Sequence, residues 1–275
     1  MRIVRFDSLE STNKYCEALD LTQVEDFTCY WALTQTAGIG QRGNHWEAAP
    51  GKNLTFSLVL HPAFLPADRQ FRLTQTLSLA LYDLLETFPP VPSQGGEEKS
   101  ARPLLGEGCP KGRVGATIKW PNDIYVGGKK ICGTLVSTRL QGTAIASAVC
   151  GIGLNVNQTA FPDWVPNPTS LSLLTGQKFD LEPLLQRLLY CIEGRYRGLK
   201  EGHDPEPEYL EHLMNLGIEA DYYVSEGAQV LPTTHYPLPT KIKATITGVD
   251  PHGRLLLTAS DGRRLSCGMK EIAWL

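Results

Sequence analysis

The apolar positions of this chain change period several times, and each change marks an element. Thr28–Gln35 and Leu54–Leu60 are short runs rich in β-branched and aromatic residues, the pattern of strands. Residues 3–6 read as a shorter strand ahead of them. Between residues 66 and 88, Leu73, Leu77, Ala80, Leu81, Leu84 and Leu85 recur at helical spacing and predict a helix with one apolar face. A second amphipathic helix is predicted at 181–199, with shorter ones at 14–19, 170–175 and 207–216. Ser11 or Thr12 suits the N-cap of the first helix, and Gly176 the stop of the 170–175 helix.

Between these elements, residues 118–136 read as a strand, a Gly127-Gly128 turn and a second strand. Lys119, Asn122 and Asp123 sit at one end of this otherwise apolar hairpin, and Lys129 and Lys130 follow the turn. Two cations there suit an anionic ligand such as a phosphate or a carboxylate. A solvated turn, with an Asx turn after Pro121, accounts for the same residues equally well.

Gly38, Gly40 and Gly43 have the G-x-G-x-x-G spacing, but the stretch after them is loop-like and runs into the Leu54–Leu60 strand. A dinucleotide fingerprint needs a helix there. What is left is a glycine loop whose N–H groups can wrap a phosphate or carboxylate. Arg42 adds charge to it, and Trp46 offers a surface for a planar ring. Residues 144–156 form a strand with Gly151 and Gly153 near its end, where glycine marks close approach. Asn155 and Asn157 follow on a shared face.

After Gly217 come short strands at 220–224, 242–249, 254–259, 264–267 and 272–275, the pattern of a small β-barrel. The expected division is a mixed α+β domain, 1–217, and an all-β domain, 218–275. Stretches 89–113 and 226–240 are Pro-rich and read as exposed loops. With 275 residues, 42% of them hydrophobic, the chain can build a sizeable core. A net charge of -3, without a basic tail, does not fit a general nucleic-acid binder. Seven cysteines, none spaced C-x-x-C, indicate neither a disulfide framework nor a zinc site. Reduced thiols, with no signal core and no apolar span, fit a cytoplasmic protein away from membranes. His203 and His212 lack metal-ligand spacing, and no Ser/His/Asp order stands out.

Four blocks now stand in a fixed order: Ser11-Thr12-Asn13, the loop 38–46, Lys119-Trp120-Pro121-Asn122-Asp123 with Lys130 and Gly133, and Gly151-Ile152-Gly153-Leu154-Asn155. Together they resemble the biotin–protein ligases over nearly the whole chain. The resemblance implies an α+β fold: a mixed sheet with helices, of the class II synthetase-like type, and a small C-terminal SH3-like β-barrel. It also implies ATP-dependent formation of biotinyl-5′-AMP, with Mg²⁺, and transfer of biotin to a lysine of a biotin carboxyl carrier domain. By the same resemblance, Ser11, Thr12, Asn13, Gln35, Gly38, Ile39, Gly40, Gln41, Lys130 and Gly133 would contact biotin. Trp46, Asn122 and Asn155 would hold the nucleotide, and Asp123 the metal. Lys130, Lys119 and Arg42 would act at the reaction centre. Family members often carry Gly-Arg-Gly-Arg-Arg-Gly-Arg in the loop, whereas Ile39, Gln41 and Asn44 replace three arginines here. Lys119 and Lys130, or Lys52, would then carry more of the charge. The chain starts at the catalytic-domain strand, so DNA binding is not expected, and it would act as a monomer or homodimer. A lipoate–protein ligase, or a non-catalytic biotin sensor, is the alternative.

Overall fold

The computed structural model describes residues 1–41, 44–88, 115–225 and 240–274. Arg42, Gly43 and nearly all of the two long Pro-rich stretches lie outside the described residues.

Seven strands form the larger sheet: β1 (Arg2–Leu9), β2 (Thr28–Gln35), β3 (Leu54–Leu60), β4 (Ala116–Lys119), β5 (Asp123–Val126), β6 (Lys129–Gln141) and β7 (Ala144–Leu154). Their order across the sheet is β1-β2-β3-β7-β6-β5-β4. β1 and β2 are parallel because helix α1 (Thr12–Glu17) crosses between them, and every other pair is antiparallel. Ser11 is the N-cap of α1, its side chain accepting from Lys14 N.

β3 is buried along its whole length, its polar Thr55 and Ser57 included. Alternation divides it between two faces. Phe56, Leu58 and Leu60 join the main core with α2 (Phe71–Leu85) and α4 (Leu181–Lys200). Val59 joins a smaller cluster with Cys16 of α1, Tyr30 and Val149. The helix expected over 66–88 is therefore shorter, with a 3-10 turn at Ala67–Arg69 ahead of it. Removing one buried leucine of α2, such as Leu81, costs about 2–5 kcal/mol. Helices α3 (Leu171–Thr175) and α5 (Glu206–Glu211) complete this part. Gly176, with φ 72°, ends α3 as expected.

The second sheet holds β8 (Glu219–Val224), β9 (Thr240–Val249), β10 (Leu255–Ala259), β11 (Arg264–Cys267) and β12 (Ile272–Trp274) in the antiparallel order β11-β10-β9-β8-β12. Its outer strands are not hydrogen-bonded to each other among the described residues, so the expected barrel is open. Two contacts tie it to the hairpin region of the first sheet. Trp120 Nε1 donates to Gly253 O at 3.0 Å, and the Lys119 ammonium lies 5.4 Å from the centre of the Trp274 ring.

Candidate active site

The site grows from the register of the larger sheet. Direct pairing places Lys119 opposite Asp123, Asp123 opposite Gly133, Gly133 opposite Gly153, and Gly153 opposite Thr55. These residues form one row across four strands and the edge strand, all on one face. Gly151, two residues before Gly153, is on the same face opposite Ser57 and Leu135. The middle of the row has no side chains, so the sheet presents a flat floor there.

Each glycine of that floor is filled by a neighbour's side chain. A Cβ at Gly151 would lie 2.2 Å from Asn13 Oδ1. One at Gly153 would lie 2.2 Å from Trp46 Cε2, and one at Gly133 would lie 3.0 Å from Asp123 Oδ1 and 3.3 Å from Lys130 Nζ. The three glycines are thus the seats of four side chains that the sequence singled out: Asn13, Trp46, Asp123 and Lys130.

At one end lies a hydrogen-bonded cluster. Thr12 N and Oγ1 both donate to Gln35 Oε1, at 2.7 and 3.1 Å. Ser57 Oγ lies 2.8 Å from Thr12 Oγ1 and 2.7 Å from Asn13 Oδ1. Ser57 is fully buried and fixes both side chains. The Asn13 Nδ2 group is buried with no partner among the described residues. A buried amide donor left unpaired costs about 1–3 kcal/mol, so this one is poised for a ligand acceptor.

At the other end stands Lys130. Its Nζ is 2.6 Å from Asp123 Oδ2 and 5.6 Å from the centre of the Trp46 ring. Its backbone is laced to the segment after Asn155. Lys130 N donates to Asn167 O at 2.7 Å, and Thr169 N donates to Lys130 O at 2.8 Å. Asn155 Nδ2 donates to Thr169 O at 3.0 Å, while its Oδ1 is buried and unpaired. Asn155 lines a cavity of about 530 Å³, together with Thr12, Asn13, Gln35, Trp46, Asp123 and Lys130.

The structure brings most of the expected residues to this cavity: Ser11, Thr12, Asn13 and Gln35, then Ile39, Gly40, Gln41 and Trp46, then Asp123, Lys130, Gly133 and Asn155. Gly38 lines a smaller neighbouring cavity instead. Its carbonyl accepts from Trp46 N, while Ile39 and His45 form an isolated bridge. Arg42 lies outside the described residues.

Two expected residues do not line this cavity. Asn122 is not at the cavity: it is buried, and its amide donates to Thr134 O at 2.5 Å, so it braces the strands. Lys119 is on the cavity's face of the sheet but one strand beyond its wall. Its ammonium sits 5.2 Å from the Tyr125 ring and 5.4 Å from the Trp274 ring. Burial lowers its pKa below the usual lysine range, Asp123 opposes that, and the Lys130 charge adds to it. Burial also pushes the Tyr125 hydroxyl up to about 12. Lys52 is exposed and does not line the cavity.

Two features escaped the sequence reading. Ser57 looked like an ordinary strand residue. Residues 161–168, which the sequence reading did not single out, supply Phe161, Trp164, Val165, Pro166 and Pro168 to the cavity wall. Their aromatic and proline content after Asn155 and Asn157 was the available signal. The Asn157 side chain bonds to Phe179 and Ser172, and its N–H donates to Lys52 O.

A cationic centre, an orphan amide donor, an orphan amide acceptor and a flat glycine floor suit a ligand with a carboxylate or phosphate between two polar ends. Known proteins agree with that description. Residues 5–155 match the model of the biotin/lipoate A/B protein ligase family. The chain is 31% identical over 264 residues to the bifunctional ligase/repressor BirA of Bacillus subtilis, covering 94% of this chain and 70% of that protein. It is also 31% identical over 168 residues to a biotin–[acetyl-CoA-carboxylase] ligase of Paracoccus denitrificans, covering 58% of this chain and 59% of that one. In fold it is similar to the biotin protein ligase of Aquifex aeolicus solved with biotin and ATP. That match has a TM-score of 0.71 at 22% identity, over 99% of this chain and 97% of the other. The row of glycines, the lysine–aspartate pair and these matches lead to one conclusion: the chain belongs to the biotin/lipoate A/B protein ligase family.

Proposed function

We propose that the chain is a biotin–protein ligase that converts biotin and MgATP to biotinyl-5′-AMP and pyrophosphate, then transfers biotin to a lysine of a biotin carboxyl carrier domain. The observation that carries this reading is the placement of Lys130 and Asp123 on the glycine floor that also seats Asn13 and Trp46.

A carboxylate is a poor acyl donor until a good leaving group is attached. Adenylation brings two anions together, so the site must neutralise charge at the point of attack. Lys130 supplies it there, fixed in advance by Asp123. The Thr12, Asn13, Gln35 and Ser57 cluster holds the biotin ring system, with Asn13 Nδ2 as the free donor. Trp46 and Asn155 hold the adenine, through a ring face and a free Oδ1 acceptor. Ile39 and Gln41 line the cavity without charge, so Lys130 bears most of the work on the phosphate. Magnesium enters as the counter-ion of ATP, and no cluster of three metal-binding side chains exists among the described residues. Asp123, committed to Lys130, is the carboxylate nearest that centre. No covalent intermediate on the protein is needed.

Biotin-dependent exchange of ATP with labelled pyrophosphate tests the first half-reaction, and transfer to a carrier domain the second. Exchange with lipoate in place of biotin would indicate the sister activity. Biotin binding without exchange would indicate a sensor.

A further inference from the structure

Asp123 is the first residue of β5, and each of the three residues before it is held by a different part of the chain. Trp120 Nε1 donates to Gly253 O at 3.0 Å, and the Tyr209 hydroxyl donates to Pro121 O at 2.8 Å. Asn122 is bonded to Thr134 of the neighbouring strand β6. The first two bonds come from the second sheet and from α5. Neither Gly253 nor Tyr209 lines the cavity.

Those two outside bonds share a foundation. The Tyr209 side chain is fully buried and meets the Phe71 ring edge-on, with ring centres 5.8 Å apart and planes at 84°. Gly253 rests on the same ring: a Cβ there would lie 2.4 Å from Phe71 Cδ2, and its φ of 84° also favours glycine. Phe71, the first residue of α2, is therefore the common seat of the α5 tyrosine and the second-sheet turn. Residues just past Tyr209 extend the attachment along β4. Ile118 N donates to His212 O and Met214 N to Ile118 O, both at 2.8 Å. Burial raises the Tyr209 hydroxyl well above the usual tyrosine range, so it remains a donor.

What the turn delivers is Asp123, whose Oδ2 meets Lys130 Nζ at 2.6 Å. A misplacement of about 1 Å at a reacting centre can cost 10²-fold in rate. We propose that Tyr209 and Gly253 are positioning residues: acting through Pro121 and Trp120, they set Asp123 against Lys130 and connect the second sheet to the reaction centre. The rate effects expected of them rest on the ligase reading above.

Tyr209→Phe keeps the ring against Phe71 and removes only the donor to Pro121. The kcat of biotin-dependent ATP–pyrophosphate exchange should fall about 3- to 10-fold, as for one lost buried hydrogen bond, with the Kd for biotin unchanged. Gly253→Ala, which drives a methyl group into the Phe71 ring, should act in the same direction. Both substitutions are then repeated in an Asp123→Asn background, where neither should lower exchange further, because the carboxylate they position is gone. Full additivity there would overturn the inference, as would an unaltered kcat or a biotin Kd raised in step with the loss of kcat. Crystal structures of the two variants should show Lys130 Nζ and Asp123 Oδ2 beyond hydrogen-bonding distance, and an unmoved pair would overturn the inference whatever the rates. If Tyr209→Phe does not fold, Gly253→Ala alone carries the same readouts. No exchange by the unsubstituted protein would remove the ligase reading and leave the crystal structures to decide what positions Asp123.

Discussion

Lys130 Nζ lies 2.6 Å from Asp123 Oδ2, and both side chains rest on the bare backbone of Gly133. The ammonium is therefore fixed before any substrate arrives. A preorganised charge needs no rearrangement as the transition state forms, which is why such groups carry large rate effects.

Lys130→Ala is expected to lower the rate of biotin-dependent pyrophosphate exchange by about 10²–10³-fold, the usual loss for one preorganised stabilising group. Biotin affinity should change far less, because the ring system is held at the other end of the floor. Equilibrium biotin binding and exchange kinetics on the same preparation separate the two effects. A near-normal exchange rate would remove Lys130 from the reaction centre.

The glycine floor predicts that two similar substitutions have different consequences. Gly151→Ala places a methyl group 2.2 Å from Asn13 Oδ1, and Gly153→Ala places one 2.2 Å from the Trp46 ring. The first should weaken biotin and the second ATP, each by about tenfold or more for a displaced contact. Titration calorimetry with each ligand would show the split. An equal loss of both ligands in both variants would mean that the sheet distorts as a whole.

Lys119 is held outside the cavity by Tyr125 and Trp274, so its removal should matter less than that of Lys130. Its charge still reaches the centre through Asp123 and Lys130. Lys119→Ala should lower kcat/KM for ATP by about tenfold or less, the effect of roughly 1.4 kcal/mol. A loss as deep as that of Lys130→Ala would mean that Lys119 leaves its aromatic contacts and enters the site during turnover.

What the sequence revealed and what it hid follow from the range of the interactions. Ser11 could be read as a cap because capping is local, and Gly127-Gly128 as a turn because positive φ belongs to glycine; their φ values are 56° and 75°. The order of motif blocks placed Lys130 and Asn155 in one site although the sequence carries no distance. Ser57 stayed hidden because its partners, Thr12 and Asn13, are 45 and 44 residues away and meet it only when β3 packs under α1. The position of Asn122 was not legible for a related reason. Its neighbours Lys119 and Asp123 face the row, but its own amide turns to Thr134, twelve residues on. Adjacent residues of one motif can face opposite ways, and only the register decides which.

The pH dependence of stability offers a test away from the site. His212 stacks on Tyr82, with ring centres 3.8 Å apart and planes 14° from parallel. Burial holds its pKa below the usual histidine range, the carboxylates Glu211, Glu208 and Glu86 oppose this, and Arg195 adds to the lowering. In the unfolded chain the same imidazole titrates near ~6.5. Between its folded value and ~6.5 the unfolded state binds a proton that the folded state does not, so stability falls as the pH drops through that interval. Glu208 acts in a lower window. Hydrogen bonding from Arg195 lowers its pKa, so its contribution is present above ~4.3 and is lost as the pH falls through the folded value. His212→Phe keeps a stacked ring and removes the titration. Urea midpoints measured at pH 7.5 and 5.5 should therefore drop less in His212→Phe than in the parent protein, while the acid limb belonging to Glu208 stays. Parallel declines in the two proteins would show that His212 is protonated as readily in the folded state as in the unfolded one.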